Sequence, residues 1–369
     1  MKTIGKVAVA CTAFALLAGC TATATAPPAA TTTTTAGSSA SGMTITDQAG
    51  RTVTLKATAT KVFGAGPPAT TMLYALDPTV LAGWNTAVTE SQKPFLTTAS
   101  QSLPVLGRVT GGKDTFNPEV LNANKVDLII DAGDINASYI ATDDDLQTKT
   151  GIPVIMLSTD PAKMAEGFEI LGKVTGKTDA GAKLSTEVKR IAALVSDGAT
   201  KASAAKASVF YSVGAKGLST SQSGSINARV IDAIGATNVA GTTTKSGRID
   251  ITAEQVLTFN PDWVIISPDT PADAIATNPA SVQPVGSLKA IAAGNYLVVP
   301  NGMPFGWFDG PPSSNQLMGM MWAGESIYPE AFNVDLAAET VSYYKNFFHY
   351  DLSTEAAKKM LATAHTPGF

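Results

Sequence analysis

Two cysteines and two histidines are all the thiol and imidazole chemistry available in 369 residues. Cys11 and Cys20 both fall near the N-terminus, so the body of the chain lacks a thiol for a disulfide, a thiolate metal site or a cysteine nucleophile. His349 and His365 sit near the C-terminus, which speaks against a His-rich zinc or haem centre. There is no Gly-x-Ser-x-Gly elbow and no nucleophile paired with a base. The remaining groups suit binding better than turnover. Arg108 and Arg248 could grip the oxygens of an anionic group or pair with acidic side chains. Asp131 and Asp309 are the carboxylates an enzyme would need as acid and base. Asp143-Asp144-Asp145 lacks the spaced oxygen ligands of a calcium loop and reads as a solvated helix start. Met318, Met320 and Met321 read as helix packing.

These residues sit among alternating strand and helix patterns. Short apolar runs predict strands at Lys61–Ala65, Asp127–Asp131, Pro153–Leu157, Ala207–Tyr211, Trp263–Ile266 and Tyr296–Val299, with a further one at Val80–Gly83. Helical stretches lie at Thr70–Leu76, Pro118–Ala123, Asp144–Thr148 and Ile226–Ile234, and again from Asn315 onward. Thr44 to Leu55 alternates apolar and polar residues around Asp47-Gln48-Ala49-Gly50, a hairpin signal. Leu184, Val188, Ile191 and Val195 repeat at helical spacing within one long helix, Thr178–Thr200, roughly 35 Å in length. Such alternation implies mainly parallel sheets with helices on their faces.

The N-terminus carries its own signal. Lys2 and Lys6 precede an apolar run, Val7–Leu17, that is too short to span a bilayer. Leu17-Ala18-Gly19-Cys20 resembles a bacterial lipobox, in which Cys20 is acylated and becomes the mature N-terminus. Residues 20–42, nearly all Thr, Ala, Pro, Ser and Gly, read as a flexible tether. Loss of Lys2 and Lys6 with the signal deepens an already acidic balance, 26 basic against 30 acidic residues. With no basic block, nucleic acid is excluded as a partner.

One pattern occurs twice. Asn117-Pro118-Glu119-Val120-Leu121 leads to Asp127-Leu128-Ile129-Ile130, and Thr252-Ala253-Glu254-Gln255-Val256-Leu257 leads to Asp262-Trp263-Val264-Ile265-Ile266. Each is a glutamate near a helix start followed by an aspartate that opens a strand, which suggests two similarly built lobes.

From about Thr44 onward the order of these features resembles the solute-binding lipoproteins of ABC importers for ferric siderophores, haem and corrinoids. This is the class III type, with a helical backbone between lobes. Asp47–Val53 looks like the family's first hairpin, and Gly66-Pro67-Pro68-Ala69-Thr70 like its first strand–loop–helix. Leu106-Gly107-Arg108 with Asn117-Pro118-Glu119 looks like its next loop and helix, and Ser219–Arg229 like the opening of its second lobe. Gly306–Asn315 resembles a closing loop.

The resemblance implies two Rossmann-like α/β lobes, at residues 43–177 and 201–369, joined by helix 178–200 after a signal at 1–19 and the linker. It implies that Glu119 and Glu254 dock arginines of the permease, one glutamate per lobe. Ligand would then sit at the carboxyl ends of the strands. The first-lobe candidates are Gly66, Pro67, Pro68, Trp84, Asn85, Arg108 and Asp131 with Gly133. The second-lobe candidates are Ser219, Thr220, Arg248, Trp307, Phe308 and Asp309, with the two aromatic rings offered to a flat ligand. Gly66-Pro67-Pro68 stands where haem binders of the family present Tyr or His, although Tyr211 stays available as a haem ligand. The expected cargo is a preformed ferric siderophore, ahead of corrinoid, haem, and a bare metal or oxyanion. No resident cofactor is implied. The expected setting is a monomer, lipid-anchored on the outer face of the cytoplasmic membrane or periplasmic, working with a permease dimer and its ATPase.

Overall fold

Leu128-Ile129-Ile130 and Val154-Ile155-Met156-Leu157 are unbroken apolar runs, and such runs suit strands covered on both faces. The computed structural model describes residues 42–245, 247–300 and 306–369. The predicted signal, Cys20 and the linker up to residue 41 lie outside them. A hairpin opens the described chain, β1 (Met43–Thr46) against β2 (Thr52–Leu55), with Ile45 opposite Val53. β3 (Val62–Gly64), β4 (Leu128–Gly133) and β5 (Val154–Ser158) form a parallel sheet in that order, with every residue buried.

The second sheet contains β6 (Ser208–Val213), β7 (Ser219–Thr220), β8 (Thr237–Asn238), β9 (Ile249–Asp250), β10 (Trp263–Ser267) and β11 (Tyr296–Val298). Its order is β11-β10-β6-β7-β9, with β8 on β6. β6, β8, β10 and β11 run parallel, and the short β7 pairs antiparallel with both β6 and β9. The fold is thus two α/β lobes with mainly parallel sheets.

The predicted strand at Val80–Gly83 is instead a 3-10 turn, Pro78–Val80, followed by one parallel bridge from Leu81 to Val62. Asp77 accepts the Thr79 N–H at 2.8 Å and sets that turn, leaving too little extended chain for a ladder. The helix expected at Asp144–Thr148 begins earlier, at Ala137, because Asn136 caps the N–H groups of Ser138 and Tyr139. Asp143 therefore lies mid-helix and fully buried rather than at a solvated start.

The long helix runs Thr178–Ala202 and turns Leu184, Val188, Ile191 and Val195 into the core. A glycine seats it at each end. Gly181 lies so close to the helix Pro161–Thr175 that a Cβ would stand 2.5 Å from the Phe168 carbonyl. Near the other end, Gly198 receives the Phe332 ring, where a Cβ would stand 2.7 Å from it. Phe332 also presses on Gly324 of the helix Asn315–Ile327. Beyond that point the chain returns to the first lobe. The helix Leu336–Phe348 packs Phe348 on Tyr74 and Phe347 on Phe168, at ring separations of 6.3 and 6.2 Å.

The repeated aspartate has one structural job in both lobes. Asp127 accepts the N–H groups of Thr60 and Lys61 at 2.8 and 3.0 Å, just before β3. Asp262 accepts the Ser208 N–H and hydroxyl, each at 2.7 Å, at the start of β6. Each aspartate opens one strand and pins the start of its parallel neighbour. These bonds favour the charged form and hold the Asp262 carboxyl below the usual range. Its contribution is therefore present above about pH 4 and fades as pH falls further. Asp262→Ala should lower unfolding free energy by about 1 kcal/mol near neutral pH. Urea titration should show the gap from wild type closing in acid.

Candidate functional site

A cleft of about 1190 Å³ lies between the lobes, at the ends of strands from both sheets. Its first-lobe wall includes Pro67, Pro68, Thr86, Thr110, Ala132 and Tyr139. Its second-lobe wall includes Asn227, Arg248, Ser267, Asp269, Asp309 and Pro311. The rim is tied across. Arg229 donates to the Thr159 carbonyl at 2.8 Å and to Asp134 Oδ1 at 2.9 Å, and the Ser313 hydroxyl donates to the Pro68 carbonyl at 2.9 Å.

Arg248 is the one cationic side chain among the described lining residues. Its Nε and Nη2 both point at Asp309 Oδ2, at 3.0 and 2.9 Å. The Asp309 side chain is only 2 % exposed, while that of Arg248 is 44 % exposed. The carboxylate thus stands behind the guanidinium and aims it, instead of meeting a ligand itself. Tyr211 lies deeper, with its ring stacked on Phe308 at 4.2 Å. Burial, with the Asp309 charge adding to it, pushes this phenol well above its usual pKa. Tyr211 therefore stays a protonated core residue and is not placed to ligate haem.

The first lobe repeats the arrangement. Asp131 is fully buried, and its Oδ1 accepts the Thr110 hydroxyl and the Ala132 N–H, both at 2.8 Å. Thr110 and Ala132 face the cleft and Asp131 does not.

Pro67, Pro68, Arg248 and Asp309 are the sequence candidates that line the cleft. The others are near it in structural roles. Gly66 ends the loop before the helix Pro67–Leu76, where a Cβ would collide with Thr110. Asn85 is buried, donating to the carbonyls of Gly64 and Gly107 at 2.8 and 2.9 Å and accepting from Thr70 at 2.6 Å. Trp84 donates to the Ser100 carbonyl at 2.7 Å and reaches only a recess of about 60 Å³ beside the cleft. Arg108 folds onto its own loop, at 3.3 Å from the carbonyls of Gly111 and Lys113, and so braces the turn that presents Thr110. Gly133 lies under the Tyr139 ring. Ser219 and Thr220 are strand residues, with the Ser219 hydroxyl on the Ile249 carbonyl at 3.2 Å.

Trp307 and Phe308 correct the expectation most sharply. Both are fully buried. Trp307 packs edge-on against Trp322 and donates to the Tyr344 hydroxyl at 3.3 Å, and its backbone lies directly on Gly319. Gly319 lets the chain come so near the helix Asn315–Ile327 that the rings have only the core to enter.

Thr110, Tyr139, Asn227 and Asp269 line the cleft without having been predicted. The end of β10 at Ser267 was a usable signal for Asp269, since ligands gather beyond strand ends. Tyr139 had none, because its helix was expected to start later.

The model of the periplasmic binding protein family matches residues 66–296, more than half of the chain. The chain belongs to this family. Membership makes it a solute-binding protein of the ABC-importer class and places it outside the cytoplasm. Among solved structures, an ABC transporter solute-binding protein from Sulfurospirillum deleyianum shares 24% identity at a TM-score of 0.77, covering 86% of this chain and 99% of that one. A periplasmic solute-binding protein from Veillonella parvula shares 22% at 0.69, covering 89% and 100%. A molybdate periplasmic binding protein of a Haemophilus influenzae ABC transporter shares 21% at 0.66, covering 84% and 99%. No curated protein matches the chain.

The burial of Trp307 makes it a test of packing. Trp307→Ala should cost about 3–5 kcal/mol in denaturant unfolding, as truncation of a core aromatic does. An ordinary surface cost would place the ring in solvent.

Proposed function

We propose that this protein captures a metal chelate of low net charge in the cleft and delivers it to an ABC permease. The charge balance of the lining carries the reading. Arg248 is already matched by Asp309, and Asp269 adds a further carboxylate. The rest of the described wall is uncharged, with hydroxyls and prolines such as Thr86, Thr110, Ser267, Pro67, Pro68 and Pro311 beside amides, glycines and a few apolar side chains. A wall of this kind offers neutral hydrogen bonds and apolar contact, and supplies no surplus cation for a strongly anionic guest. Three singly charged hydroxamates neutralise a ferric ion, whereas three doubly charged catecholates leave a trianion. A ferric hydroxamate or a corrinoid such as cobinamide therefore suits the cleft better than a ferric catecholate, and better than a small dianion of the molybdate kind.

Delivery uses the repeated glutamates. Glu119 and Glu254 are both exposed, each in the first turn of a short helix, one in each lobe. In this reading they steer docking onto permease arginines, since exposed ion pairs contribute little affinity on their own. The lobes are residues 43–177 and 201–369 about the long helix, with Leu336–Phe348 lying back on the first. Cys20 anchors the protein in the membrane as a lipoprotein, and it acts as a monomer without chemical turnover.

Tryptophan fluorescence of the purified protein, titrated with a ferric trihydroxamate, cobinamide and a ferric tricatecholate, tests the cargo. One of the first two should quench saturably, and the catecholate should bind at least about tenfold more weakly. The reverse order would overturn the charge argument. Glu119→Ala with Glu254→Ala should lower uptake in cells several-fold while leaving that affinity unchanged.

A further inference from the structure

The strongest unexplained feature outside the lining is a pair of buried carboxyl groups beneath the first-lobe wall. Asp131 ends β4 and Asp143 lies on the helix Ala137–Thr150, and both side chains are fully buried. One oxygen of each is satisfied. Asp131 Oδ1 takes the Thr110 hydroxyl and the Ala132 N–H, and Asp143 Oδ2 takes Arg51 Nη2 at 3.3 Å. The other oxygen of each, Asp131 Oδ2 and Asp143 Oδ1, has no donor among the described residues. The two groups are within hydrogen-bonding reach of each other.

Two interacting buried carboxyl groups, each with a donorless oxygen, would be costly if both were charged. The neighbouring charges do not remove that cost. Arg51 is the cation at the pair, and it also holds Asp47 at 2.8 Å and Asp144 at 3.1 Å. Tyr139 faces the pair from the same helix as Asp143, and its phenol is pushed up to about 12 by burial and by Asp131, Asp134 and Asp143. Asp134 is occupied by Arg229 of the second lobe. One proton held by the pair supplies the missing donor and removes one charge.

We propose that Asp131 and Asp143 hold one shared proton at neutral pH, and that this acid pair is a pH sensor coupled through Thr110 to the cleft. Losing the proton to solvent converts a carboxyl–carboxylate hydrogen bond into two facing carboxylates. The repulsion acts on Asp131, which holds both Thr110 and the amide of Ala132. Burial, with the Asp131 charge adding to it, raises the Asp143 carboxyl to about 8, so release falls in mildly alkaline conditions. The unfolded chain releases this proton near pH 4. Stability therefore falls as pH rises from about 4 to about 8 and then levels off.

Infrared spectroscopy of the ligand-free protein in D₂O reads the proton directly. A protonated-carboxyl band should be present at about pH 6, disappear by about pH 9, and be missing in both Asp143→Asn and Asp131→Asn. Its absence from wild type at about pH 6, or its persistence in both variants, would overturn the shared proton. Asp143→Asn keeps the volume and can donate to Asp131, so it should fold and lose the pH slope of melting temperature. If neither variant folds, titration of the wild-type band decides. Hydrogen exchange then reads the coupling. Protection of the amides from Val109 to Gly112 should fall at least about tenfold between about pH 6 and about pH 9 in wild type and not in Asp143→Asn. Unchanged protection would overturn the link to the cleft. Because no ligand is used, these outcomes are independent of the cargo assigned above.

Discussion

The glycine seats of the long helix are the constraint on which the rest of the molecule depends. Gly181 lets Thr178–Ala202 approach a first-lobe helix at backbone distance, and Gly198 admits the Phe332 ring from the second lobe. A helix of that length spans about 38 Å and bends little. With both ends seated, the separation of the sheets is set by helix geometry and not by a flexible strand crossover. The cleft inherits this spacing, and the bonds from Arg229 and Ser313 across the rim hold it. A connection seated in this way favours small shifts of packed helices and side chains over hinge closure.

Both walls of the cleft follow one plan. A buried carboxylate, Asp131 or Asp309, stands behind a side chain that faces solvent, Thr110 or Arg248. The carboxylates contribute orientation, and the exposed donors contribute contact. Burying the charge keeps the rotamer of the donor fixed before ligand arrives, which reduces the ordering cost of binding. The same burial makes the charge state of the first-lobe carboxylate depend on its neighbours.

Much of the architecture was legible in the chain because it follows from local rules. Unbroken apolar runs located β4, β5, β6 and β10, and a 3.6-residue period located the long helix to within two residues of its end. Strand ends pointed to the cleft and to Pro67, Pro68, Arg248 and Asp309. What failed was the distinction between a side chain near the cleft and one in it. Trp307 and Asn85 belong to loops of the right kind, and their burial is decided by partners far away in sequence, such as Tyr344 and Gly319 for the first, and by the carbonyls of Gly64 and Gly107 for the second. Asp143 failed for a related reason. An aspartate triplet reads as solvated until Arg51, roughly ninety residues earlier, is brought against it.

The return of the final helices to the first lobe bears on the order in which the protein can be assembled. Tyr74 lies on Phe348, its hydroxyl bonds the Phe348 carbonyl at 3.5 Å, and its own carbonyl meets His349 Nε2 at 3.0 Å. Phe95 rests on Tyr344 and Tyr350. During synthesis the first lobe emerges early, yet this side of its core stays uncovered until the helix Leu336–Phe348 has been made. A vectorially produced chain therefore has no finished half to lock prematurely. Formation of that helix becomes the event that closes the first lobe, which ties the packing of the first lobe to residues made only after the second.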